Sequence, residues 1–132
     1  MATAETLRVQ GVDAVFYPVK DLERASRFYT ELLGMEPSQS WPNFGAEYTL
    51  PNGETFGFLK FPDIERFEPY RRAWPGGSGV MFAVDDLEAV VAACKARGVK
   101  FYNEGKIEDT PACSMVFVED SEGNSFILHR RK

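Results

Sequence analysis

The sequence predicts an α+β fold built from two tandem βαβββ modules. Residues 14–23 and 79–88 nearly repeat each other: each is an apolar, strand-like run that ends in Asp-Leu-Glu and opens into an amphipathic segment. A second pair, residues 51–58 and 121–128, repeats a glycine turn followed by a strand of the same length. One supersecondary unit that occurs twice in the chain explains both pairs.

Module one is predicted over about residues 12–61. Residues 12–19 read as a strand, Asp21 is placed to cap a helix whose apolar residues recur at helical spacing, and Gly34 ends that helix. Three further strands are predicted at residues 36–41, 46–50 and 55–61, separated by turns that contain proline, asparagine and glycine.

Module two is predicted over about residues 79–130, after a linker at residues 62–78 that is rich in proline and glycine. Its predicted elements are a strand at 80–84, a helix at 87–96 that Asp86 caps and Gly98 closes, and strands at 100–102, 114–118 and 125–129. A chain of 132 residues is long enough for a core but short for two independent domains. We therefore expect a single domain.

Composition narrows the classes of partner. The formal net charge of -5 argues against a nucleic-acid surface, which would need clustered lysine and arginine. No apolar run approaches the length of a membrane span, and the first residues do not resemble a signal peptide. Cys94 and Cys113 have no metal-binding spacing and are expected to be free, buried thiols. These features predict a cytoplasmic protein that binds neither nucleic acid nor membrane.

Three segments carry a family resemblance. Residues 19–29 with Leu33-Gly34, residues 84–88 and residues 119–124 together resemble the vicinal oxygen chelate superfamily, which includes glyoxalase I, extradiol dioxygenases and the fosfomycin and bleomycin resistance proteins. The resemblance extends over about residues 12–130. It implies that the two modules form a cup-shaped, partly open β-barrel with the helices outside. It also implies a homodimer, which would cover the sheet edges that open halves of a cup leave exposed.

The resemblance implies a divalent metal at the floor of the cup. Its four ligand positions correspond here to Ala14, Gly57, Gly79 and Ile127. None of these residues has a side chain that can donate to a metal, so we expect no metal and no other cofactor. The alternative is a displaced site, in which His129, Glu47 and Glu54 take over as ligands.

Small residues at these positions leave a hollow, and we expect it to bind a small molecule. The candidate ligand-binding residues are Phe16, Trp41, Tyr48, Gly57, Trp74, Gly79, Met81, Ile127 and His129. Aromatic side chains suit a planar aromatic ligand, and neighbouring carboxylates such as Glu47 favour a cationic one. The alternative is that aromatic side chains from the loops collapse into the hollow and fill it.

Three functions follow from this interpretation. The first is a metal-independent protein that binds or sequesters a small molecule. The second is a metal-independent enzyme, of lyase or isomerase type, in which Glu47, Tyr48 or His129 acts as a general acid or base. The third is a metal-dependent lyase or dioxygenase, which the missing ligands argue against. Binding is the favoured hypothesis.

Overall fold

The computed structural model describes residue 10, residues 12–60 and residues 80–132. In chain order the helices and strands are β1 (Val15–Pro18), α1 (Leu22–Leu33), β2 (Gln39–Trp41), β3 (Gly45–Thr49), β4 (Thr55–Leu59), β5 (Met81–Ala83), α2 (Leu87–Ala96), β6 (Lys100–Phe101), β7 (Glu108–Asp109), β8 (Cys113–Glu119) and β9 (Ser125–Arg131). The predicted linker at residues 62–78 lies outside the described residues, as do Trp74 and Gly79. None of the helices described is long and apolar enough to cross a membrane.

The strands form two sheets of matching topology. In the first sheet the order is β1-β4-β3-β2, and in the second it is β5-β9-β8-β6. The first strand of each module pairs in parallel with the last one, and the remaining neighbours along both orders are antiparallel. These are the two predicted βαβββ modules, and the α+β fold class is confirmed. Both sheets are open over the described residues, which do not close into a barrel.

Several strand limits differ from the sequence prediction. The strand predicted at 36–41 begins only at Gln39, because Pro37 has no N–H to donate to a ladder. The strand predicted at 100–102 ends at Phe101, where a 3-10 turn begins that holds Asn103 and Glu104 at φ values of 52° and 56°. The sequence prediction missed β7, a two-residue strand that pairs with β8. The first strand, predicted at residues 12–19, is shorter in the structure, where β1 covers Val15–Pro18.

Both helices begin at the predicted aspartates. The Asp21 carboxylate accepts a hydrogen bond of 3.0 Å from the Arg24 N–H, and the Asp86 carboxylate accepts one of the same length from the Ala89 N–H. Side-chain caps of this kind stabilise a helix by about 1 kcal/mol each. Gly34 follows α1 at φ 65°, a left-handed conformation that glycine adopts without a steric penalty.

One aromatic core joins the two modules. Tyr29 of α1 packs on Phe56 and Phe58 of β4, with ring centroids 4.8 and 5.9 Å away. Phe56 then meets Phe82 of β5 edge to face at 5.1 Å, and Phe82 meets Phe126 of β9 at 5.6 Å. All five rings are at least 93% buried. The helices therefore pack on one face of the sheets, and the opposite face of each sheet is left for a site.

Polar contacts also lock the modules together. The Tyr17 hydroxyl of β1 donates to the Ser125 carbonyl at 2.6 Å and accepts from the Val80 N–H at 2.7 Å. The turn between β8 and β9, residues 120–124, docks on the start of α1: the Glu122 carboxylate accepts from the Lys20 and Asp21 N–H groups and pairs with Arg24. The position of β1 and α1 is thus fixed from module two.

Candidate functional site

The side chains opposite the helices define a surface that we call the cup face. Strand alternation and pairing register decide which residues belong to it. In module one, Phe16 of β1 lies opposite Gly57 of β4, and Gly57 lies opposite Glu47 of β3. These three residues form a row across the sheet, with a phenyl ring at one end and a carboxylate at the other. Gly57 is buried, whereas Phe16 and Glu47 are half-buried.

Module two contributes two rows to the cup face. Met81 of β5 lies opposite Ile127 of β9, which lies opposite Phe117 of β8. The next row runs Ala83, His129, Met115 across the same strands. Met81 is 54% exposed, and Ile127 is buried. The module-two part of the face is therefore apolar, with His129 as its one ionisable member in these two rows.

The floor of module one is closed by Phe16. A Cβ atom on Gly57 would overlap the Phe16 ring at Cε1 and would stand 2.5 Å from the Ala46 carbonyl oxygen. The space above Gly57 is thus filled by an aromatic side chain of the neighbouring strand. The sequence-based alternative of a collapsed hollow applies at this point, although the residue that fills it comes from a strand rather than from a loop.

The positions that correspond to metal ligands do not fit a metal. Ala14, Gly57 and Ile127 carry no nitrogen, oxygen or sulfur in their side chains, and zinc, iron and related ions need several such donors on one centre. Over residues 12–60 and 80–132, no three histidine, cysteine, aspartate or glutamate residues come together in a group that could hold an ion. Glu54, one ligand of the suggested displaced site, is exposed.

Trp41 lies on the cup face at the end of β2. Trp41 pairs with Gly45 of β3, which lies two residues before Glu47 and therefore on the same face of the sheet. The ring is half-buried, and Phe44 in the following turn is 45% exposed. An indole at this rim could contact a molecule that lies over the row of Phe16 and Gly57.

One candidate residue is misplaced by the sequence prediction. Tyr48 is fully buried on the helix face, where its hydroxyl is 3.0 Å from the Thr30 hydroxyl of α1 and its ring lies 6.2 Å from that of Phe58. Burial in the core raises the pKa of this phenol above its ordinary value. Tyr48 is therefore a core residue and does not line the cup face; its neighbour Glu47 does, as strand alternation requires.

The remaining candidates fall into two groups. Phe16, Trp41, Gly57, Met81, Ile127 and His129 all lie on the cup face. Trp74 and Gly79 lie outside the described residues. The sequence prediction also missed Phe117 and Met115, whose side chains share the cup face with His129 and Ile127. The alternation of Ser114, Val116 and Val118 toward the core was the signal that could have revealed them.

Comparisons with known proteins agree on the fold. A family model described as Glyoxalase/Bleomycin resistance protein/Dioxygenase superfamily matches residues 11–128. No curated protein matches the chain. Among solved structures, a putative glyoxalase from Bacillus halodurans is 24% identical, with a TM-score of 0.73, and the match covers 92% of this chain and 96% of that one.

Two further structures give similar values. A protein from Agrobacterium tumefaciens, solved by NMR, is 21% identical with a TM-score of 0.72, and the match covers 94% of this chain and 99% of that one. A glyoxalase/bleomycin resistance protein from Albidiferax ferrireducens T118 is 24% identical with a TM-score of 0.65, covering 92% and 98%. At this level of identity the likeness establishes the fold alone.

Proposed function

The chain belongs to the Glyoxalase/Bleomycin resistance protein/Dioxygenase superfamily, and on that premise we propose that it binds a small molecule without a metal. The ligand of this proposal is planar and aromatic, and a cationic group favours its binding. The site is the cup face, with Phe16, Trp41, Met81, Ile127 and His129 around the ligand. Phe117 and Met115 join them by register. Trp74 and Gly79 stay in the proposal as predicted members outside the described residues.

The proposal rests on the side chains at the positions that correspond to the family's metal ligands. Ala14, Gly57 and Ile127 replace donors with small or apolar groups. A surface that lacks donors and exposes apolar side chains such as Met81 is suited to contacts with a ring system. Binding energy would then come from apolar burial and ring stacking, and stacking adds roughly 0.5–1.5 kcal/mol per aromatic pair beyond burial.

Two ionisable groups give the site its polar character. Glu47 stands beside Gly57 in module one, and His129 stands between Ala83 and Met115 in module two. A carboxylate next to an aromatic ring attracts a cationic ligand, and a histidine can donate or accept a hydrogen bond. A planar ligand with one positive group could therefore stack its ring over Phe16 and hold its charge near Glu47.

The same pair supports a second candidate, a metal-independent enzyme of lyase or isomerase type. Glu47 and His129 are half-buried on one face, and either could act as a general base. Turnover of the bound compound would distinguish enzymatic activity from binding. In Glu47→Gln or His129→Asn this turnover should be lost while the affinity for the compound persists. Tyr48, buried in the core, is not part of this candidate.

We also propose a homodimer and a cytoplasmic location. Among the described strands, β2 and β6 end their sheets with one side unpaired, as β1 and β5 do at the opposite ends, and such edges are commonly covered by a symmetric partner. Cys94 and Cys113 are both free and buried, which suits a reducing compartment.

The proposal is tested with protein freed of metal by a chelator. Trp74→Phe leaves Trp41 as the single tryptophan, and saturable quenching of its fluorescence by 4-aminoquinoline, a planar cation at neutral pH, is the expected result. Ala83→Phe, at an exposed position of the cup face, should weaken quenching. Ala96→Phe, at an exposed position of α2, is the matched control and should not.

A further inference from the structure

A cavity lies on the helix side of the sheets, away from the cup face. It is a cleft of about 690 Å³ between α1 and α2, and the turn at residues 120–124 forms part of its wall. Phe28 and Leu32 line it from α1, and Val90 and Cys94 line it from α2. Clefts of 300–1,000 Å³ with apolar walls and a few polar groups are the usual form of small-molecule sites.

Carboxylates outnumber cations on the walls. The acidic members are Glu31, Asp86, Glu119 and Asp120, and the basic members are Arg97 and Lys100. Lys100 lies opposite Glu119 in the strand register of β6 and β8, and the Arg97 guanidinium donates to the Ala93 carbonyl of its own helix. With four acidic and two basic residues on its walls, the cleft carries an excess of negative charge, so an amine complements it better than an acid does.

One wall residue has an unmet hydrogen-bonding capacity. The Ser121 hydroxyl is buried, and among the described residues it is the one buried side-chain polar atom without a hydrogen-bond partner. Ser121 also lines the cleft. A buried polar group without a partner costs roughly 1–3 kcal/mol, so such groups are rare unless something else satisfies them. If the Ser121 side chain turns about its Cα–Cβ bond toward the cleft, a polar group at the end of a bound molecule would supply the missing partner.

The turn that carries Ser121 is held in place on both sides. The Asp120 carboxylate accepts from the Glu122 and Asn124 N–H groups and from the Tyr29 hydroxyl of α1. The Glu122 carboxylate accepts from Lys20 and Asp21. The wall is therefore fixed before any ligand arrives, and pre-formed sites bind without the entropic cost of ordering a loop.

We propose that this cleft is a second ligand site, distinct from the cup face, for a small aromatic amine. The ring system lies between Phe28 and Leu32 on one side and Val90 on the other. The amino group lies toward the turn, where it donates to the Ser121 hydroxyl and is attracted by the neighbouring carboxylates. The proposal stands independently of the one for the cup face, because no residue is shared between the two sites.

The test uses 2-naphthylmethylamine as the probe, with 2-naphthylmethanol and 2-naphthoate as neutral and anionic comparisons. Amide chemical shifts of the ¹⁵N-labelled full chain should change at residues 86–99 and 119–123. The amine should bind more tightly than the alcohol, and the acid most weakly. Ala93→Phe, which fills the cleft from an exposed helix position, should reduce affinity about tenfold or more, whereas Ala92→Phe, exposed on the same helix but not in the cleft, should not.

Ser121→Ala separates a ligand-binding role from a structural one. This substitution should lower the affinity for the amine by about threefold to tenfold. The thermal stability of the unliganded protein should stay the same or rise, because an unsatisfied hydroxyl has been removed. Any one of three results would overturn the proposal. The first is shift changes confined to residues 14–16, 57 and 127. The others are equal effects of Ala93→Phe and Ala92→Phe, and a Ser121→Ala variant that binds the amine normally.

Discussion

The Phe16 ring lies directly over Gly57, its parallel neighbour on the cup face. The contact is so close that a Cβ atom on Gly57 would overlap the ring. Glycine at this position therefore makes room for the ring of the adjacent strand, and the ring takes the place above a position where the family resemblance would put a metal ligand. The site proposed above is built around this pair.

Gly57→Ala should destabilise the protein. The added methyl group meets both the Phe16 ring and the Ala46 carbonyl oxygen, and the latter belongs to the backbone of a paired strand and cannot turn away. We expect a loss of about 1–3 kcal/mol in the free energy of unfolding, measured by urea denaturation. Placing Gly57→Ala in a Phe16→Ala background should recover only part of the loss. Full recovery, or no loss at all, would contradict this description of the pair.

Much of the fold could be predicted because its signals are local. Asp21 and Asp86 are helix caps that act on residues three positions later, and the internal repeat indicates that the second module contains the same elements as the first. The exact strand limits depend on pairing partners far along the chain: β8 and β9 extend to Cys113 and Arg131 because these residues pair with each other. No local pattern encodes that.

The site was harder to predict for the same reason. Tyr48 was expected at the cup face because aromatic residues suit a ligand, although alternation with Glu47 already placed it on the other side. That Phe16 fills the space at Gly57 depends on a parallel pairing between β1 and β4, which are separated by a helix and two strands. The cleft between α1 and α2 depends on packing between modules and has no sequence pattern of its own.

Tyr17→Phe tests the contact between modules. The variant leaves the Val80 N–H without its acceptor and the Ser125 carbonyl without its donor, so we expect a loss of about 1–3 kcal/mol near pH 8. Thermal or urea unfolding measures it. An unchanged stability would mean that water or another group replaces the hydroxyl without cost.

The raised pKa of Tyr17 predicts that the stability of the folded protein falls at alkaline pH. Burial raises the pKa of Tyr17 from 10.0 to about 12, so between these values the unfolded chain loses this proton while the folded protein keeps it. The stabilising effect is complete below pH 10 and is lost as the pH rises toward 12. Urea unfolding at a series of pH values should show a less steep fall in Tyr17→Phe than in the wild type. Parallel curves would exclude Tyr17 as a contributor.

Glu122→Gln should weaken the docking of the β8–β9 turn on α1. The Glu122 side chain is 2% exposed and accepts from two backbone N–H groups while it pairs with Arg24 at 2.6 Å. Removing the charge of a buried acceptor should cost about 1–3 kcal/mol in the free energy of unfolding. Glu88→Gln is the matched control, because the pair of Glu88 with Arg130 is exposed and should matter less. Equal effects in the two variants would count against the docking role.

Dimerisation is measured by light scattering coupled to size exclusion. At tens of micromolar protein we expect twice the chain mass of 14.9 kDa, because a partner would cover the free edges of β2 and β6. Ser40→Lys, at an exposed position of β2, should shift the equilibrium toward the monomer if that edge is part of the interface. A monomer mass for the wild type would refute the proposed homodimer.

A titration of the metal-free protein decides whether the cup face binds a planar cation without a metal. Chelator-treated Trp74→Phe protein is titrated with 4-aminoquinoline while Trp41 fluorescence is followed, at low and at high salt, and again after addition of Zn²⁺, Mn²⁺ or Fe²⁺. We expect saturable quenching without any metal, weaker binding at high salt because the attraction to carboxylates is screened, and weaker quenching in Ala83→Phe. Quenching that appears only after a metal is added, or that Ala83→Phe leaves unchanged, would contradict the proposal.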